Sequence, residues 1–283
     1  MRSRSWESRT LRKISPLLIT ERPGQSGPNP FESELALANS AYLAVQEDRL
    51  VRVSDPDKPP SACQVGVHQA LRAFIASADY SCVGAKAAFN SGTYRLGIYG
   101  DMGGSAALAG LARDLFTFTR EQPAIGGDFT TFVASFAGPD VASEEQFETL
   151  LWDTLQSLYD VDRLFNPPDP AVAEDPGAGN FGFSFAGRGF FVIGLHPASS
   201  RLARRFPYPT LVFNAHFQFD KLKADGRYPK MQKAIRTREM GWQGSLNPNL
   251  SDFGASSEAR QYAGRAVEDD WKCPLHLHGQ KRG

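Results

Sequence analysis

Between residues 62 and 240 the apolar residues switch repeatedly between a helical period and a strand period, and that alternation restricts the fold more than any other feature of the chain. Over 62–77, Val65, Ala70, Leu71, Phe74 and Ile75 share one helical face, with Ser61 placed to cap it. A strand follows over 94–99 and stops at Gly100. A helix is expected over 105–120, then a strand over 129–136 closed by Gly138 and Pro139. The clearest helix covers 144–164. Ser143 and Gln146 have the spacing of a capping box, and Phe147, Leu150, Leu151, Leu155 and Leu158 line one side.

Pro167, Pro168, Pro170, Pro176, Gly177 and Gly179 then make a loop. It reads as a surface loop in preference to a domain boundary, because the strands on either side need a common sheet. Residues 180–186 alternate, Gly187-Arg188-Gly189 turns the chain, and 190–195 returns as the second strand of a hairpin. A third strand is expected over 210–213, and helices over 217–224 and 229–240. Past Gly241 the chain is rich in Gly, Asn, Pro and Asp, yet Trp242, Phe253, Tyr262 and Trp271 need burial, so an ordered closing segment is expected. The order predicts a single-domain α+β fold over 31–283, a mixed or antiparallel sheet with helices on one face. Residues 1–30, with Arg2, Arg4, Arg9, Arg12 and Lys13 ahead of Pro23, Gly24, Gly27 and Pro28, are expected to form a disordered basic arm.

Charge narrows the function classes. Lys+Arg and Asp+Glu both number 31, so there is no basic excess for nucleic acid and no electrostatic reason to hold a membrane. The longest apolar run, 189–195, is too short to span a bilayer, and the N-terminus has no secretory apolar region, so a cytoplasmic location is expected. Cys63, Cys82 and Cys273 are odd in number and lack CxxC spacing, which fits reduced thiols better than a disulfide framework or a zinc knuckle. No phosphate-binding loop, dinucleotide fingerprint, HExxH or GxSxG is present. The glycines between 100 and 104 could offer amides to an anion, but a structural turn explains them better.

Three side chains could bind a metal. His196 closes a strand, a rigid mount, and is followed by Arg201, Arg204 and Arg205, whose forked donors suit carboxylates or haem propionates. The competing reading is a capped strand end with a surface arginine cluster. His216 is the second candidate, though a helix N-terminus would also explain it. Cys273, before Pro274, is the third, since a thiolate can ligate haem iron. His276 and His278 are expected in a frayed tail and His68 on the surface of its helix.

The stretches GLHPASSRLARRF (194–206), FNAHFQFDKL (213–222), QGSLNPNLSDFG (243–254) and EARQYAGRAVEDDWKCP (258–274) closely resemble the YqcI/YcgG family, and CVGAKAAFN (82–90) resembles its N-terminal block. Family members of known activity are haem-dependent N-hydroxylases of guanidino compounds, one making Nω-hydroxy-L-arginine in D-cycloserine biosynthesis and another acting on a cyclic guanidine in the guanitoxin pathway. The resemblance therefore implies a haem b monooxygenase, with L-arginine and dioxygen as substrates and an external electron donor (a reductase partner) or peroxide; a homodimer is compatible with it. It makes His196 the axial iron ligand, with Cys273 as the alternative, so a histidine-type carbonyl spectrum is expected. Arg201, Arg205 and His216 join the haem-binding set, although Ala215 departs from the family pattern ahead of His216. The closing segment would line or cover the pocket with Glu258, Arg260, Tyr262, Glu268, Asp269, Asp270 and Trp271, carboxylates and an indole suited to a flat cation. Haem binding or sensing without turnover, N-hydroxylation of another guanidino compound and a cofactor-free structural role are the alternatives. A Soret band and product analysis separate them.

Overall fold

The computed structural model describes residues 27–250 and 256–277. Nearly all of the expected basic arm, and Phe253, lie outside the described residues. In chain order the elements are α1 (Glu34–Asn39), β1 (Leu43–Gln46), β2 (Arg49–Arg52), α2 (Ala62–Ala76), α3 (Val83–Ser91), β3 (Tyr94–Asp101), α4 (Ser105–Ile125), β4 (Thr131–Gly138), α5 (Glu144–Asp162), β5 (Phe183–Phe185), β6 (Arg188–Leu195), β7 (Thr210–Ala215), α6 (His216–Ala224), α7 (Tyr228–Gln243) and α8 (Ala259–Tyr262). The strands form one sheet in the order β2-β1-β3-β4-β7-β6-β5. Only β3 and β4 run parallel; the other neighbours are antiparallel, so the sheet is mixed.

Local chemistry explains most of the boundaries. Ser61 and Gln64 form a reciprocal capping box at α2. At α5 only half of one forms: Ser143 accepts from the Gln146 amide, while the Gln146 side chain turns to the Ala142 amide and the Asp140 carbonyl. The β5–β6 turn falls on Ala186 and Gly187, at φ 52° and 67°, one residue earlier than the glycines suggest. The Asp162 carboxylate makes that position tolerable by accepting from the Ala186 amide at 2.9 and 3.0 Å. The proline-rich loop is stapled to the same hairpin: Asp169 accepts from the Gly189 amide at 2.7 Å, and its own amide donates to Ser184 at 2.8 Å. It is a surface loop of this sheet.

Helices cover both faces of the sheet, not one. The reason is visible in β6 and β7, which are apolar at nearly every position and so are buried on both sides. On one face Phe132, Ala134, Phe136, Phe190, Val192, Leu211 and Phe213 pack against Leu111, Leu115 and Phe118 of α4 and Phe147, Leu151 and Leu155 of α5. On the other, Leu96, Val133 and Leu195 meet Leu71 and Ile75 of α2, with Ile193 and Val212 beside them. His68, expected on the surface, is instead 5% exposed. Its Nε2 lies 2.6 Å from the Tyr94 hydroxyl, which gives the ring a partner in the core, and burial pulls its pKa down to about 4.

α5 comes closest to the sheet at Gly194, where a Cβ would collide with the Phe147 ring and touch Leu151. Gly194→Ala should therefore cost about 1–3 kcal/mol by overpacking, read as a lower urea midpoint at unchanged m-value. An unchanged midpoint would show that α5 can give way here. Among the described residues no helix is long and apolar enough to cross a membrane.

Candidate functional site

The second face of the sheet is not filled by side chains alone. Between it and α2, α3, α6 and α7 lies a cavity of ≈ 300 Å³, within the usual range for small-molecule sites. Its floor is the alternate residues of three strands: Thr131 and Val133 of β4, Phe191, Ile193 and Leu195 of β6, Val212 and Asn214 of β7. Gly84, Ala85 and Ala88 of α3 and Met231 and Ile235 of α7 complete the walls. Small residues on α3 leave room where larger ones would close the core.

Polar groups interrupt these walls at three places. The turn after β6 brings in Arg201 and Arg204. Arg201 makes a buried pair with Glu239 of α7 and donates to Ser245 Oγ at 3.0 Å, while its Nε has no hydrogen-bond partner. Arg204 donates to the Tyr262 carbonyl at 2.9 Å and reaches the Gly194 carbonyl at 3.4 Å, and among the described residues no carboxylate pairs with it. Its stem crosses Gly264, at φ 88°, where a Cβ would lie 2.6 Å from Arg204 Cδ. Burial lowers its pKa to about 10. The Glu239 charge raises it in part, but Glu239 is in contact with Arg201, not with Arg204.

The second place is Cys82, the N-cap of α3, whose Sγ accepts from the Ala85 amide at 3.4 Å. Burial pushes its thiol pKa up, against the pull of the Ala85 and Gly84 amides and the Arg204 charge. The third is a linked trio. His216, the first residue of α6, places Nε2 2.9 Å from Glu258 Oε1, and the Tyr262 hydroxyl lies 2.6 Å from the same oxygen. Glu258 is 9% exposed, and burial raises its pKa despite both partners. With Glu258 ionised, the imidazole and the phenol both donate to it.

Of the side chains singled out in the sequence, Arg201, Arg204, His216 and Glu258 line this cavity together. His196 does not. Strand alternation points it to the opposite face, where it is fully buried and stacks on Phe147 with ring centroids 4.2 Å apart. Neither ring nitrogen has a hydrogen-bond partner, and burial pulls the pKa down to about 4. Arg205 is exposed and donates to the Ser199 carbonyl at 2.8 Å. Cys273 packs against the α4–α5 core, where burial raises its pKa to about 12.

The acidic run also lies away from the cavity. Glu268, Asp269 and Asp270 are exposed. Glu268 pairs with Arg265 at 3.2 Å. Trp271 packs on the α4–α5 core, donates to Glu148 at 3.0 Å and carries the Arg260 guanidinium 5.8 Å above its ring. Carboxylate and indole do meet guanidinium groups here, but those of the chain itself. Asp252 and His278 lie outside the described residues. The sequence reading passed over Cys82 as one more reduced thiol and ranked Arg205 above Arg204. The available signal was Gly84, Ala85 and Ala88 behind Cys82, a helix face too small to fill a core.

Among the described residues no three His, Cys, Asp or Glu side chains gather to hold a bare metal ion. The cavity instead offers a guanidinium at Arg204, a thiol at Cys82, an imidazole at His216 and a carboxylate at Glu258 within largely apolar walls. A family model, described as the YqcI/YcgG family, matches residues 71–276. No curated protein and no solved structure matches the chain.

Proposed function

The chain belongs to the YqcI/YcgG family, and from that premise we propose that this cavity binds haem b and that the protein N-hydroxylates a guanidino group, that of L-arginine in the first instance. The observation that carries the reading is Arg204, a half-buried guanidinium in an apolar wall that, among the described residues, feels Glu239 at a distance and has no carboxylate in contact. Haem supplies exposed propionates and a large flat apolar surface, which is what such a wall would take up. When bound it would supply the activation of dioxygen or peroxide, with electrons from outside the chain.

The remaining roles fall to the chain. Arg204, with Arg201 behind it, would hold the propionates through forked donors. Val133, Ile193, Leu195 and Val212 keep water from the reacting region. Two carboxylates line the cavity, and Glu239 is already occupied by Arg201. Glu258 is therefore the carboxylate that would hold the substrate guanidinium, oriented from behind by Tyr262 and His216. Because burial raises its pKa, Glu258 can also take a proton from the guanidinium nitrogen or return it.

The full chain incubated with haemin should give one Soret-absorbing haem per protein. Arginine should then perturb that band and, with an electron source, yield a product heavier by one oxygen. Failure to bind haemin ends the proposal, and binding without product leaves a haem-binding protein. Glu258→Gln should keep haemin and weaken the arginine titration about tenfold, the difference between a charged and a neutral hydrogen bond. Unchanged titration would place the guanidinium elsewhere.

A further inference from the structure

We propose that Cys82 is the axial ligand of the haem iron, so that this is a thiolate-ligated haem protein; the inference rests on the reading that the cavity holds haem. Among the described residues, Cys82 and His216 are the only cysteine and histidine on the cavity wall. His196 and Cys273 belong to the α4–α5 side, His68 is engaged with Tyr94, and Cys63 and His276 are exposed. His216 already commits Nε2 to Glu258.

Three features of the Cys82 surroundings favour an anionic sulfur. It caps α3, a helix of nine residues, so the positive end of the helix dipole points at it. The Ala85 amide donates to Sγ at 3.4 Å, leaving further lone pairs on the sulfur for a metal. Arg204 lies near enough for its charge to act on the thiol, and Arg201, 93% buried with its Nε unpartnered, lines the same cavity. Cys82 and both arginines thus line one cavity, as a single ligand that meets both would require. On coordination the S–H proton leaves to solvent while the sulfur–iron bond forms, with no change of oxidation state. Without iron the sulfur is held as a thiol by burial, and a coordinated thiol is deprotonated outright. A thiolate ligand pushes electron density toward dioxygen cleavage, which suits an oxygenase better than a sensor.

The experiment is the carbon monoxide spectrum of the full chain, reconstituted with haemin and reduced with dithionite. The wild type should show the red-shifted band of a thiolate-ligated carbonyl, in place of the histidine-type spectrum expected from the sequence. Cys82→Ser should lose that band, Cys82→His should convert it to the imidazole type, and His216→Gln should retain it. A histidine-type band in the wild type overturns the assignment while leaving haem binding intact. A red-shifted band that survives in Cys82→Ser also overturns it. Absence of haemin uptake by the wild type removes the functional reading and this assignment together. If the Cys82 variants fail to fold, the Cys63→Ser/Cys273→Ser double variant decides: a red-shifted band retained there leaves Cys82 as its source, and a band lost there overturns the assignment.

Discussion

Arg204→Met should leave the apoprotein at least as stable as the wild type and weaken haemin binding roughly thirtyfold or more, the consequence of losing about 2–5 kcal/mol from a desolvated charge pair. The two halves have separate causes. In the apoprotein Arg204 is a half-buried charge in contact with carbonyls and only distantly compensated by Glu239, and burial lowers its pKa to about 10. Methionine removes that charge, keeps much of the stem volume over Gly264 and leaves two carbonyls without donors. The relief of a charge that burial disfavours offsets the cost of those two carbonyls. With a propionate present the same charge becomes the partner. Haemin titration and urea unfolding of the apoprotein read the two effects independently. A variant that binds haemin like the wild type would show that the propionates do not lie at Arg204. A variant that is strongly destabilised would show that the carbonyl contacts are the true role of the side chain.

His196→Leu should be close to neutral in stability at pH 7 and stabilising, relative to the wild type, by about 2 kcal/mol at pH 5. In the fold, burial lowers the His196 pKa from 6.5 to about 4. Above pH 6.5 neither the folded nor the unfolded state carries the proton, and the residue costs nothing by titration. As pH falls toward 4 the unfolded chain takes up a proton that the folded chain refuses, so stability drains away. Leucine has no such proton. The comparison must be made between the two proteins at each pH, because Asp162, whose pKa burial raises to about 7, moves the wild-type curve the other way. Near pH 7 the lost Phe147 stacking offsets the relief of two unpartnered ring nitrogens. A stability difference that stays constant from pH 7 to pH 5 would mean that the ring titrates normally or holds a hydrogen-bond partner.

These two residues also show what was legible in the sequence. Elements with long regular periods could be read: α2, α4, α5 and the strands β3, β4, β6 and β7 all occur close to their expected places. The turns at Ser61 and Ser143 were readable because side-chain oxygens cap helices by fixed spacing. What the period hid were short elements: α1, the β1–β2 hairpin, α3 and α8 bury too few apolar residues to leave a pattern. α3 is the costly omission, since it carries Cys82. The site was half legible for a similar reason. Motif position identified Arg201, His216 and Glu258, but a motif does not say which side of a strand or turn a residue faces. His196 follows Leu195 by one residue and so lands on the far face, and Arg204 rather than Arg205 reaches the cavity. The acidic run failed differently: it lies away from the cavity, where the Glu268 carboxylate pairs with Arg265 and the Trp271 ring with Arg260.

The division of β6 and β7 between two helical layers separates two kinds of inheritance along one stretch of chain. Phe190, Val192, Leu211 and Phe213 belong to the layer that holds the fold together, while Phe191, Ile193, Val212 and Asn214 face the cavity. Substitutions at the second set can diversify what is bound while the first set stays constant, so selectivity is free to drift among descendants that share one scaffold. A single inserted residue would have the opposite outcome. It would exchange the two sets from that point onward, presenting folding residues to the cavity and cavity residues to α5. Strand length is therefore the quantity this architecture cannot change, and residue identity on the cavity side the one it can.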